Sequence, residues 1–171
     1  AFPTLGCPLV SVSKELHAPR LETLVRRIRT RLGNVVVRKE GALRALLRAL
    51  QENKSIGVIM DQHGGRNGPW IEMFGRPAST VDTVARLHMR TGAPLITNFM
   101  IRRPDGRYRW RCRELVIPPR TDETDADYVK VILRECNRDF ENAIREAPEQ
   151  WLWMYKRWRG SPAGKSAAAA S

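Results

Sequence analysis

Cysteine is scarce in this chain of 171 residues. Cys7, Cys112 and Cys136 are odd in number, scattered, and without C-x-x-C spacing. That pattern excludes a disulfide framework and a zinc site, and it reads as buried thiols in a reducing compartment. Long apolar runs are also missing: none approaches the roughly 20 residues a bilayer span requires, and no secretory signal stands at the front. Acids are in deficit, with 18 Asp and Glu against 30 Lys and Arg, a net charge of +12 and an isoelectric point near 10.6. Such a field concentrates anionic partners (nucleic acid, acidic proteins or anionic lipid head groups) without choosing among them. An apolar content of 42% suits a single globular domain with its own core. The first residue is Ala rather than Met, so the natural amino terminus is expected to lie upstream.

What is present is an alternation of periodicities. Pro8 to Ser13 reads as a strand. Pro19 then opens a helix with Leu21, Leu24, Val25, Ile28 and Leu32 on one stripe, and Gly33 closes it. Asn34 to Val37 reads as a strand, Gly41 to Glu52 as a helix with Leu43, Leu46, Leu47 and Leu50 inward, and Ser55 to Met60 as a third strand. Strand, helix, strand, helix, strand predicts a parallel sheet with right-handed crossovers. Ser79-Thr-Val-Asp82 resembles a capping box for a helix running to Thr91 and stopped by Gly92. Pro94 to Arg102 is a strand, Pro104-Asp-Gly106 turns a hairpin, and the return passes through Tyr108, Trp110 and Cys112 to Ile117. Tyr128, Val131, Ile132, Cys136, Phe140 and Ile144 mark a long amphipathic helix. The fold class predicted is α/β, a mostly parallel mixed sheet flanked by helices with one antiparallel hairpin. Residues 1–159 form the domain and 160–171 a disordered tail.

The segment most in need of a functional explanation is Val58 to Thr80. An apolar run ends abruptly in Asp61, a glycine-rich loop with Arg66 follows, and Phe74-Gly-Arg-Pro77 precedes the helix. A carboxylate at the carboxyl end of a buried strand, facing a loop and a helix start, occupies the position where open α/β sheets hold ligands. Periodicity accounts for the strand and the helix but not for the acid, the glycines or the arginine between them.

Asp61-Gln62, the loop with Arg66 and Gly68, Phe74-Gly75 and Ala78-Ser-Thr80 together resemble the bacterial lipid A biosynthesis acyltransferases. Thr91-Gly-Ala-Pro94, Arg103-Pro-Asp-Gly106, and Pro148-Glu-Gln-Trp-Leu-Trp153 with Lys156-Arg-Trp158 agree in order and spacing. The resemblance covers residues 5–159. It implies a glycerolipid-acyltransferase-like fold and a membrane-surface enzyme. Such an enzyme moves a fatty acyl chain from acyl carrier protein to a hydroxyl of a glycolipid, without cofactor or metal. The family's catalytic His-x-x-x-x-Asp/Glu lies upstream of the strand at Pro8. The chain is therefore expected to be the carboxyl-terminal part of such an enzyme, without its dyad and without the anchor to the cytoplasmic face of the bacterial inner membrane. No catalytic residue is assigned within it.

The resemblance also proposes substrate-binding residues. Lys14 stands where the family carries Arg and could meet a phosphate or a thioester carbonyl; it supplies charge without Arg's planar fork. Asp61 matches the family acid and could bind a sugar hydroxyl; the plainer reading is a loop aspartate capping backbone N–H groups. Arg66 and Arg76 could meet lipid phosphates or the acidic face of acyl carrier protein, or simply be solvated. Thr80 could hold a ligand oxygen at a helix N-terminus, or only cap it. His17-Ala-Pro-Arg-Leu-Glu22 mimics the catalytic motif but aligns with a later family segment, so His17 reads as an exposed residue before a helix. His63 reads as loop surface and His88 as a satisfied helix histidine. Trp151, Trp153, Tyr155 and Trp158, beside Lys156, Arg157 and Arg159, read either as an interface anchor or as aromatics packed inward with only the cations exposed. Tyr155-Lys156 replaces the family's usual His-Arg pair.

Three alternatives remain open on sequence. One is an acyltransferase acting on another glycolipid, such as a mannosylated phosphoinositide. Another is a catalytically inactive relative. A third is a basic nucleic-acid-binding α/β domain, less favoured because the aromatics form no stacking platform interleaved with the basic residues and no recognised RNA or DNA motif occurs.

Overall fold

A computed structural model describes residues 2–13, 17–39, 41–160 and 162. Contacts divide the chain into two compact units, residues 1–59 and 60–171. In the first unit, β-branched residues build three strands: alternating valines in β1 (Leu9–Ser13), three successive valines in β2 (Val35–Arg38) and Ile56 in β3 (Ser55–Gly57). Helices α1 (Pro19–Thr30) and α2 (Ala42–Gln51) are the crossovers. The sheet order is β2-β1-β3, parallel throughout, with Val10 of the central strand opposite Val35 and Ile56. The βαβαβ expectation is correct here, although β3 stops at Gly57, short of the predicted Met60.

The two helices use their leucines differently. Along α2, Leu46 is fully buried and Leu47 and Leu50 are half-buried, as read; Leu43, predicted inward, is 39% exposed. The α1 stripe is not core: Leu21, Leu24, Ile28 and Leu32 remain 49–65% exposed, Val25 is half-buried, and no residue of α1 is buried. Amphipathicity reports that a face is apolar, not which neighbour covers it.

The second unit begins with a hairpin absent from the sequence reading. β4 (Trp70–Met73) pairs antiparallel with β5 (Arg76–Ser79) around Phe74-Gly75, both at positive φ (52° and 71°). Positive φ at both central residues is the primed hairpin turn; a phenylalanine in place of Asn or Asp at the first of them hides the signal. The predicted capping box dissolves as a result. Ser79 ends a strand, α3 runs Thr83–Thr91, and the Asp82 side chain makes no cap hydrogen bond but pairs with Arg86 at 2.6 Å. Gly92 terminates α3 as expected, in the left-handed conformation with its N–H on the His88 carbonyl.

β6 (Ile96–Arg102) and β7 (Tyr108–Glu114) form the predicted hairpin, which ends three residues before the predicted Ile117. α4 (Asp125–Glu146) is capped by Thr124, whose side chain accepts from the Asp127 N–H. Its face buries Tyr128, Ile132, Cys136 and Ile144, as the periodicity required. It packs on β4 and β6 and carries polar ties inward. Asn137 Nδ2 donates to the Glu72 carbonyl at 3.0 Å, and the Asp139 carboxylate, 3% exposed, accepts from Arg111 at 2.7 Å and from Thr97. The single mixed sheet of the sequence reading is therefore corrected to three sheets among the described residues: one parallel, two antiparallel hairpins. The α/β class stands.

The three thiols expected to be buried are not all buried. Cys7 and Cys112 are exposed, and only Cys136 is buried. Burial, then the neighbouring Asp139 charge, pushes the Cys136 thiol up to about 12. A disulfide-exchange reagent near neutral pH is expected to label Cys7 and Cys112 rapidly and Cys136 only on unfolding. Prompt labelling of three thiols in the native protein would contradict this packing. The stability Cys136 contributes is present below the ordinary thiol value of 9.0 and is lost as pH rises from there towards 12.

Candidate functional site

In the second unit the loop from Asp61 to Pro69 is tied down on both sides. Backbone bonds tie it to the end of β5: Gly64 N–H donates to the Ser79 carbonyl at 2.9 Å and Thr80 N–H to the Pro69 carbonyl at 2.9 Å. The Ser79 hydroxyl reaches the Gly65 carbonyl at 2.8 Å. The glycines here are spatial requirements. A Cβ on Gly64 would lie 2.3 Å from the Thr80 carbonyl oxygen, and one on Gly68 would lie 2.6 Å from the Ser79 hydroxyl. Neither position admits alanine without moving backbone or a buried side chain.

The carboxyl-terminal segment holds the other side. The Tyr155 hydroxyl accepts from the His63 N–H at 3.0 Å, and His63 Nε2 meets the Arg159 carbonyl at 3.0 Å. Gly65 N–H donates to His63 Nδ1 at 2.9 Å, so Nδ1 must be the acceptor and Nε2 carries the proton that meets Arg159. His63 is thus no loop-surface residue but a half-buried pin of this loop.

Arg157 is the centre of the arrangement. It is the largest fully buried side chain, at 0% exposure. One terminal nitrogen donates to the Ser79 carbonyl at 2.5 Å and the other to the Thr80 hydroxyl at 3.1 Å, while Nε has no partner among the described residues. Burial lowers the affinity of this guanidinium for its proton, and the nearby Asp61 charge, with Tyr155, works against that loss. A buried arginine needs such compensation, because desolvation of an isolated cation costs several kcal/mol.

Asp61 is half-buried beside it. Its Oδ2 accepts from Trp151 Nε1 at 3.4 Å, while Oδ1 takes no hydrogen bond among the described residues. The capping role that the sequence left open for Asp61 has no counterpart among its bonds. Trp151 belongs to an aromatic cluster with Phe74, Trp153 and Trp158, whose ring centroids lie 4.6–6.5 Å apart. Trp158 Nε1 donates to the Met73 carbonyl at 3.1 Å, and Arg145 lies over Phe74 at 5.0 Å.

The predicted residues distribute unevenly over this geometry. Asp61 and Thr80 converge through Arg157. Thr80 is fully buried, precedes α3 instead of starting it, and its hydroxyl donates to the Ala78 carbonyl at 2.9 Å while accepting from Arg157. Arg76 lies apart, exposed, its guanidinium 5.7 Å from the Trp158 ring centroid. Arg66 is exposed in the turn. Lys14 falls outside the described residues, as does the tail apart from Gly160 and Pro162. His17 is exposed, and His88 Nδ1 meets the Ala93 carbonyl at 2.8 Å beyond the end of α3, consistent with a satisfied helix histidine.

Sequence reasoning missed Arg157, Tyr155 and His63. It grouped Arg157 with exposed cations around tryptophans, and the structure reverses that order: Arg157 is buried, while Trp153 is 52% exposed. The available signal was a pair of cations enclosed between two aromatics, Tyr155-Lys-Arg-Trp158, which fits a packed inner layer as well as a surface.

Residues 6–160 match the family described as bacterial lipid A biosynthesis acyltransferase. The chain is 26% identical over 164 residues to the lipid A biosynthesis palmitoleoyltransferase of Escherichia coli K12, covering 93% of this chain and 51% of that protein. The lipid A biosynthesis acyltransferase of Shigella flexneri gives the same identity and coverage. The lauroyltransferase of Escherichia coli K12 is 25% identical over 71% of this chain and 39% of its own length. The chain thus spans about half the length of the curated relatives it matches, and the match takes in the whole of the Asp61 loop and the Arg157 segment that pins it. On that ground the chain belongs to the bacterial lipid A biosynthesis acyltransferase family.

Proposed function

We propose that this chain is the carboxyl-terminal part of an enzyme that transfers a fatty acyl chain from acyl carrier protein to a hydroxyl or hydroxyacyl group of a lipid A precursor. The proposed place of action is the cytoplasmic face of the bacterial inner membrane, and the proposed fold of the whole domain is glycerolipid-acyltransferase-like. The observation that carries the reading is the family match over residues 6–160, with a lipid A palmitoleoyltransferase and a lauroyltransferase among the relatives.

In this reading a base from the family's His-x-x-x-x-Asp/Glu motif, outside this chain, takes the proton of the acceptor hydroxyl. The oxygen attacks the thioester carbonyl, and the carrier thiolate leaves with the acyl group transferred. Asp61 is assigned to the acceptor: its Oδ1 takes a sugar or hydroxyacyl O–H while the Trp151 indole fixes Oδ2. Arg66 and Arg76, both exposed, are assigned to lipid phosphates or to the acidic carrier protein, and Lys14 to a phosphate or the thioester carbonyl. Thr80 is assigned a supporting part, through its bond to Arg157. The nucleic-acid reading loses ground because the aromatic rings pack edge to face against one another within the unit.

The test is acylation by the whole enzyme. With an acyl-carrier-protein thioester and a lipid A precursor, mass spectrometry should show one added acyl chain. Absence of that product, with carrier thioester intact and enzyme folded, would reject the reading; acylation of a mannosylated phosphoinositide instead would redirect it.

A further inference from the structure

Three consecutive large apolar side chains stand open on the turn that follows the short 3-10 helix Pro148–Gln150. Leu152 is 65% exposed, Trp153 52% and Met154 90%. One exposed leucine is ordinary; three in a row on one tip are not. The tip is also held from beneath. Trp153 Nε1 donates to the Pro148 carbonyl at 2.6 Å, Tyr155 N–H to the Leu152 carbonyl at 3.0 Å, and Arg157 N–H to the Tyr155 carbonyl at 2.7 Å. Trp151 and Trp158 on either side of it are packed edge to face at 5.8 Å, and Arg157 between them is fully buried. Trp153 rests with one edge on that layer, its ring centroid 4.6 Å from that of Trp151, and Leu152 and Met154 lie outside it.

We infer that Leu152, Trp153 and Met154 form a wedge that enters the surface of an anionic lipid bilayer. The surrounding charge fits that partner. From Pro148 to Gly160 the chain carries Lys156, Arg157 and Arg159 against the single acid Glu149, and Lys156 and Arg159 are exposed. Arg102 joins them: its N–H and carbonyl are both held by the Gln150 side chain, at 2.8 and 2.9 Å, and it and Arg103 are exposed. Apolar side chains at the tip, a tryptophan at its shoulder and cations around it correspond in order to acyl chains, carbonyl region and phosphates. Three side chains are too few for a protein interface, where each partner gives up roughly 800 Å². They are enough for a reversible membrane contact reinforced by charge. The reading rests on the exposed tip and its cations and is independent of the acyl-transfer chemistry.

The experiment uses this chain and flotation with vesicles. Phosphatidylethanolamine–phosphatidylglycerol vesicles are expected to carry the protein, and phosphatidylcholine vesicles far less. Leu152→Ser with Met154→Ser should weaken partition to the anionic vesicles about tenfold or more while leaving the thermal midpoint unchanged, since both side chains are exposed. Brominated lipid should quench Trp153, judged against Trp153→Phe. Equal binding by the double variant would overturn the inference, showing adsorption by the arginines alone. So would self-association abolished by the double variant, which would make a second copy the occupant. Failure of vesicle binding leaves acyl transfer by the whole enzyme untouched, and failure of acyl transfer leaves the wedge standing, so the two readings fall separately.

Discussion

Arg157→Met is expected to destabilise the second unit by about 3 kcal/mol or more, lowering its thermal midpoint by roughly 10 °C. The substitution keeps most of the volume but removes two donors from a fully buried site, leaving the Ser79 carbonyl and the Thr80 hydroxyl short of a partner and Asp61 without its nearby cation. Arg157→Lys should recover part of the loss, because one ammonium restores the charge but cannot reach both oxygens as a planar fork does. All five tryptophans lie at or beyond residue 70, so their fluorescence in a urea titration reports the second unit alone. Thr80→Val supplies the control. On its own it should cost about 1 kcal/mol or more, and combined with Arg157→Met it should add less than that, because the bond to Arg157 is shared while only the Thr80–Ala78 bond is lost independently. A midpoint unmoved by Arg157→Met would mean that the buried guanidinium contributes nothing to holding the Asp61 loop.

In the whole enzyme, Asp61→Asn is expected to lower acyl transfer about a hundredfold while the protein stays folded. Asparagine keeps the shape and an oxygen for the Trp151 indole, so the loop retains its tie. The change removes the negative charge and turns the outward position from a strong acceptor towards a donor, which a hydroxyl-bearing acceptor reads as the loss of a charge-assisted bond. The fall should appear in kcat/KM for the lipid acceptor with the KM for the carrier thioester little changed. Equal loss against both substrates would place Asp61 in general architecture, and unchanged turnover would remove it from the site. Arg66→Ala and Arg76→Ala, on exposed positions, should be milder and salt-dependent.

Much of the fold was legible because it is local. Proline at the start of α1, glycine after α3 and the Pro-Asp-Gly turn each act within a few residues of themselves. The α4 periodicity pointed at a real core because that helix lies on β4 and β6. The same argument misplaced α1, whose leucine stripe is open. The β4-β5 hairpin was missed because Phe74 adopts positive φ, a conformation its residue type does not advertise. Asp61 was legible as an anomaly: an acid ending an apolar run asks for a reason.

By itself, then, the sequence determined the order of the elements apart from the β4–β5 hairpin, the glycine that ends α3, the basic field and the family motifs, all of which depend on neighbours in the chain. Only the tertiary structure decided which cation is buried. Arg157 meets Ser79 and Thr80 across 78 and 77 residues, and Tyr155 meets His63 across 92. Composition cannot rank Arg157 above Lys156 or Arg159, because burial of a charge depends on whether distant groups arrive to satisfy it. The same closure that takes Arg157 inside leaves Leu152, Trp153 and Met154 outside.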